Sequence, residues 1–175
     1  YSAMIPRVAK AGYENLICFS GNRRGLSEEE GLEQAVKALQ PMVKLAEAHG
    51  VVLQMELFNS IVDHPDYMAD SSRWGIELAR ALNSPSFKLL YDIYHMQIME
   101  GNLVANIKEN HQWYGHYHVA GVPGRNEPWE AQEINYPAVM AAIESTGFNG
   151  YVALEYLFTT NKKESMARSF TEFIR

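Results

Sequence analysis

Four short apolar runs each close on a polar residue: VVLQME on Glu56, FKLLYD on Asp92, YGHYH on His118 and YVALE on Glu155. A parallel strand buried on both faces is a nearly unbroken apolar run, so a carboxylate or imidazole at its last position is out of keeping with what precedes it. The endings stand 36, 26 and 37 residues apart, enough each time for a loop, a helix and the next strand. That repetition predicts four side chains at one end of one parallel sheet.

The intervening sequence supplies the other elements. IPRVAKAGY reads as the last turns of a helix closed by Gly12, and NLICFSG (15–21) as a strand. Ser27 and Glu30 form a capping box for a helix running to about His49, whose apolar residues recur near every 3.6 positions. Further helices are predicted from Ser71 to Leu82, over roughly 102–111, from Pro137 to Gly147 and from Lys162 onward, with strands at 51–57, 87–92, 114–120 and 151–156. The segment FNSIVDHPDYMAD exceeds the usual βα connection, and long loops of that kind are commonly functional.

Alternation of five strands with helices fits a doubly wound sheet or a (β/α)₈ barrel. Polar residues at successive C-terminal strand ends favour the α/β TIM barrel, because barrel closure brings those ends to one site. With five strands in hand, residues 1–175 are expected to form one domain holding about strands 4–8, and about three βα units are expected before Tyr1.

Composition narrows the function classes. An apolar fraction of 47% and a charged fraction of 21% are those of a globular protein. A net charge of −6 argues against nucleic acid or an anionic membrane as partner, since both call for clustered Lys and Arg. The lone Cys18 fits a reducing, cytoplasmic compartment, and no apolar run approaches a membrane span. Homo-oligomer formation is left open.

Glu56, Asp92, His118 and Glu155 together offer three oxygen ligands and one nitrogen ligand to a divalent cation. Hard oxygens with one imidazole suit Mg²⁺ or Mn²⁺, with Zn²⁺ or Co²⁺ as alternatives. Glu56 and Glu155 are also able to move protons, the requirement for isomerising a small hydroxy-carbonyl compound through an enediolate. His116 shares the strand face of His118 but lies farther from the C-terminal end, so His118 is the expected ligand and His116 a packed or supporting neighbour bordering the substrate.

The motifs MELFN, LLYDIYHMQ, GHYHVAGVPGR, EINYP and YVALEY resemble, in order and spacing, the sugar isomerase and epimerase barrels of the xylose isomerase-like superfamily. The resemblance covers essentially the whole chain. It implies a TIM barrel, a metal held by Glu56, Asp92, His118 and Glu155, and substrate contacts from His95 and Arg125. Ketose 3-epimerases carry acidic residues where this chain has Val62 and Gly121. The resemblance therefore points to the hydroxypyruvate isomerase side, with hydroxypyruvate and tartronate semialdehyde or a similar sugar-derived compound as substrate. A tagatose- or psicose-type 3-epimerase is the rival reaction. An endonuclease-type nucleic-acid binder and a non-catalytic carbohydrate-binding barrel are rivals of other classes.

Several other residues receive provisional places. Glu133 and Asn135 are set at the pocket mouth, Glu133 as a substrate-binding residue. Arg23 and Arg24 are read as solvated loop charges, and Asp63-His64-Pro65-Asp66 as a turn rather than a second metal cluster. Trp113, Trp129 and Tyr94 are candidates to line the pocket.

Overall fold

In a computed structural model, which describes residues 1–129 and 131–173, five parallel strands pair in strict chain order. They are β1 (Asn15–Cys18), β2 (Val52–Glu56), β3 (Phe87–Asp92), β4 (Tyr114–Val119) and β5 (Tyr151–Leu154). Seven α-helices accompany them: α1 (Met4–Lys10), α2 (Glu28–His49), α3 (Ser72–Leu82), α4 (Ile93–Met99), α5 (Leu103–Asn110), α6 (Tyr136–Ser145) and α7 (Lys162–Phe173). Sequential parallel pairing with a helix in each crossover is the architecture of a half-barrel.

Register separates the two faces of the sheet. Leu53, Met55, Leu89, Tyr91, Tyr117 and Val119 are fully buried on the side that packs against the helices. The opposite side carries Gln54, Glu56, Lys88, Asp92, His116 and His118, brought into rows by the pairings Glu56 with Leu90, Leu90 with His116 and Asp92 with His118. The helix-facing side is thus apolar, while the inner wall mixes polar residues with Ile17, Leu90 and Ala153.

Local chemistry explains the boundaries. Ser27 Oγ accepts from Glu30 N while the Glu30 carboxylate accepts from Ser27 N, the predicted capping box of α2. Gly50, with φ of 65°, ends that helix. The strand predicted over 15–21 stops at Cys18. Ser20 and Gly21 are drawn out of the ladder by bonds from Ser20 N to Tyr67 Oη, from Ala69 N to Ser20 Oγ and from Met68 N to Gly21 O. The last strand ends at Leu154, leaving Glu155 just beyond it.

Helix α4 was not expected from the pattern. It begins directly after β3 with no loop, because the Asp92 side chain accepts from His95 N at 3.1 Å and caps it. Among the described residues no helix is long and apolar enough to cross a membrane.

The loop after β4 is clasped to the chain beyond β5. The Glu127 carboxylate, on a residue only 9% exposed, accepts from Thr159 N and Oγ1 and from Ser165 Oγ. Burial works against its charge, but these donors hold its pKa down, at about 2. A depressed folded-state pKa contributes stability that is full above the ordinary value of 4.5 and is lost as pH falls through about 2. Glu127→Gln is expected to lower the thermal midpoint at pH 7, corresponding to about 1.5–3 kcal/mol for hydrogen bonds to a charged group. The gap from wild type should close as the melts are repeated toward pH 2. A gap independent of pH would refute this account of the clasp.

Candidate metal centre

Glu56 and Asp92 are the last residues of β2 and β3, His118 is the last but one of β4, and Glu155 follows β5 directly. Because the strands run parallel and in register, these endings converge. One ligand atom from each of the four lies within 4.8 Å of every other. His118 Nδ1 is central, 2.9 Å from Glu56 Oε1, 3.1 Å from Glu155 Oε2 and 3.7 Å from Asp92 Oδ2. Glu56, Asp92 and His118 are buried, and Glu155 opens to the surface with a side chain 45% exposed.

This donor set fits a divalent ion. Ligands about 2.0–2.3 Å from a metal stand at most about 4.6 Å from one another, close to the spacing found. Three carboxylates gathered around one imidazole also carry an excess of negative charge that a dication offsets. The electrostatics register that crowding. Burial opposes a charged His118, but bonds to Asp92, Glu155 and Glu56 hold its pKa up at about 11. Burial raises the pKa of Glu56, with His118 pulling the other way. Burial also works to raise that of Glu155, yet His118 and Arg125 bring it down to about 2.

His95, the third residue of α4, is fully buried. Its Nε2 stands 3.7 Å from Asp92 Oδ2, and its pKa is lowered to about 4, mainly by burial. Arg125 reaches Glu155 Oε2 at 2.5 Å and lies over the Tyr94 ring, 5.6 Å from its centroid. Its φ of 57° puts the residue in the left-handed region, within the turn that follows Gly121, whose N–H bonds Asn126 O. A cavity of about 450 Å³ beside the cluster is lined by Val62, Asp63, Tyr94, Arg125, Glu155 and Tyr156, among others.

Other expected residues lie elsewhere. His116 is half-buried one step down the inner wall, its ring 5.0 Å from that of His118, and it is not among the four clustered ligand atoms. Burial lowers its pKa to about 4. Glu133 is exposed and accepts from Gln97 Nε2 on α4. Asn135 caps α6 by accepting from Ala138 N. Arg23 is no free loop charge: it pairs with Asp70 at 2.8 Å and donates to Tyr67 O, tying the β1 and β2 loops together. The Asp63–Asp66 stretch is a turn, and among the described residues it forms no second ligand cluster. Trp113 lies against Arg80 and Trp129 against Arg168, while Tyr94 does border the cavity.

The sequence pattern assigned no role to Asn59 and read Asp63 only as part of a turn. Asn59 is fully buried and bonds Asp63 Oδ2 at 2.6 Å and His95 Nδ1 at 2.7 Å, while Tyr94 Oη donates to Asp63 Oδ2 at 2.7 Å. The one signal for these residues was the excess length of their loop.

A family described as xylose isomerase-like TIM barrel matches residues 1–175. The hydroxypyruvate isomerase of Escherichia coli is 32% identical over 152 residues, 86% of this chain and 58% of that protein. The 2-oxo-tetronate isomerase of Pectobacterium atrosepticum is 34% identical over 108 residues, 62% of this chain and 40% of that protein. The chain spans about half the length of the curated relatives it matches. A crystal structure described as an AP endonuclease, family 2, from Brucella melitensis superposes with a TM-score of 0.90 at 26% identity, covering 98% of this chain and 66% of that one.

Proposed function

Because the chain belongs to the xylose isomerase-like TIM barrel family, we propose that it is part of a divalent-metal-dependent isomerase of a small hydroxy-keto acid, of the hydroxypyruvate and tartronate semialdehyde type. The observation that carries this reading is the convergence of Glu56, Asp92, His118 and Glu155 on one point, with Arg125 beside them. The names of the two curated relatives support the reaction class and favour it over ketose 3-epimerisation.

Glu56, Asp92, His118 and Glu155 would hold the ion through three carboxylates and His118 Nδ1. A divalent ion there supplies Lewis-acid stabilisation of negative charge on substrate oxygens. The chain's own groups do the rest. Glu56 ends β2 and Glu155 follows β5, with β3 and β4 between them, and both reach His118 Nδ1, so two separate carboxylates are on hand as base and acid. One carboxylate takes the proton from C3 of hydroxypyruvate and the other returns a proton to C2. The hydroxyl proton passes from O3 to O2, which balances the conversion to the semialdehyde. Arg125 would offer a cation to the substrate carboxylate, and Tyr94 and Tyr156 line the same cavity.

The Brucella neighbour's description makes DNA cleavage the reading to test against. Binding a phosphate backbone calls for a basic surface, and this chain carries −6 overall. The deciding experiment incubates the whole protein, with and without Mn²⁺, with hydroxypyruvate, tartronate semialdehyde, several ketoses and DNA bearing an abasic site, followed by product analysis. Metal-dependent interconversion of the two three-carbon acids is expected. Ketose epimers or nicked DNA without that interconversion would overturn the proposal.

A further inference from the structure

The buried amide of Asn59 determines which nitrogen of His95 carries the proton. Asn59 Oδ1 lies 2.9 Å from both Val62 N and Asp63 N. Backbone nitrogens only donate, so the oxygen must face them and the amide cannot be turned over. Nδ2 then presents its two hydrogens to Asp63 Oδ2 at 2.6 Å and to His95 Nδ1 at 2.7 Å. Tyr94 Oη donates to the same Asp63 oxygen, keeping Asp63 an acceptor. A nitrogen that accepts carries no proton, so the proton of neutral His95 sits on Nε2. The rings of Phe58, Tyr94 and His64, with centroids 4.9, 5.0 and 5.3 Å away, wall the imidazole in this orientation.

That leaves Nε2 as the unsatisfied end. It is buried, makes no hydrogen bond, and stands 3.7 Å from Asp92 Oδ2, beyond bonding reach. A buried N–H without an acceptor is costly, which points to a ligand oxygen as its partner. We propose that Asn59 is a positioning residue that holds His95 with Nδ1 as an acceptor, leaving Nε2–H to donate to a ligand oxygen. This rests on the isomerase reading for the identity of the ligand, but the tautomer can be measured without it. The length of the loop after β2 also gains a physical reason, because its backbone N–H groups set the polarity of a side chain on α4.

The test is ¹⁵N NMR of the imidazole in the whole protein, since protonated and lone-pair ring nitrogens resonate far apart. Wild type is expected to show a protonated Nε2 and a bare Nδ1 on His95. Asn59→Asp keeps an acceptor for Val62 and Asp63 but removes the donor to His95, so the proton should move to Nδ1 or both nitrogens should be protonated. Asn59→Ala, which removes the amide without adding charge, should give a mixture of tautomers. Both variants should lower kcat/KM for the three-carbon acids by about tenfold, the loss of one oriented hydrogen bond. A protonated Nδ1 in wild type, or a ring unchanged in both variants, would overturn the proposal whatever the activity. The expected ¹⁵N pattern in a protein that turns over neither acid would instead sink the isomerase reading and leave the tautomer assignment standing.

Discussion

Glu155→Gln is expected to lower kcat for the isomerisation by about 10²–10⁴-fold, the usual contribution of a positioned general acid or base. Glu155 is set apart from Glu56 by its surroundings: it opens to the surface, bonds Arg125 and faces His118, whereas Glu56 is buried. The substitution keeps the side chain's length and can still accept from Arg125 and His118, but it cannot take a proton at the carboxylate. His118 and Arg125 hold the Glu155 carboxylate at a pKa of about 2, so its loss is also expected to lower the thermal midpoint at pH 7, and kcat is compared at a temperature well below both midpoints. Glu56→Gln should lower kcat comparably, with a larger change in stability because its carboxylate is buried. Steady-state kinetics beside thermal melts separates the two effects, and turnover intact in either variant would remove that glutamate from the chemistry.

The second large effect concerns the ion. Asp92 both contributes to the ligand cluster and caps α4, so Asp92→Ala would confuse lost binding with a frayed helix. Asp92→Asn separates them, since asparagine caps a helix about as well as aspartate but brings no negative charge. Protein stripped of metal and titrated with Mn²⁺ should bind one ion per chain, read from the loss of the free-ion EPR signal. In Asp92→Asn the affinity should fall by at least about 100-fold, the upper end of what losing a mere outer partner costs. Helix content should be unchanged. Equal Mn²⁺ affinity in the two proteins would exclude Asp92 as a ligand, and no binding by wild type would exclude the centre itself.

These two experiments act on residues that the sequence made visible, and the way it did so has a physical basis. A strand end is a local event: an apolar run stops, a polar residue follows, and helical periodicity begins. Glu56, Asp92 and His118 could be read because each breaks such a pattern, and parallel order then sends them all to one rim. The same local reading erred where another element competed for the backbone. NLICFSG reads as strand to its end, but Tyr67, Met68 and Ala69, some fifty residues on, claim Ser20 and Gly21. Helix α4 escaped notice because its cap is the residue already read as a strand-end ligand. Glu133 and Asn135, expected at the pocket mouth, bond to Gln97 on α4 and to the N-terminus of α6, contacts that no local pattern announces.

By itself, then, the sequence determined the β/α alternation, the parallel order it requires, the capping box of α2 and the identities of the four converging residues. All of these follow from spacing and side-chain chemistry along a single segment. Only the tertiary structure decided which atoms meet: Nδ1 rather than Nε2 of His118 facing the carboxylates, the Arg125 fork reaching Glu155, and the Asn59 amide turned toward His95. Such contacts join positions 30 to 62 residues apart, and their geometry depends on strand register and loop closure, which no local pattern records.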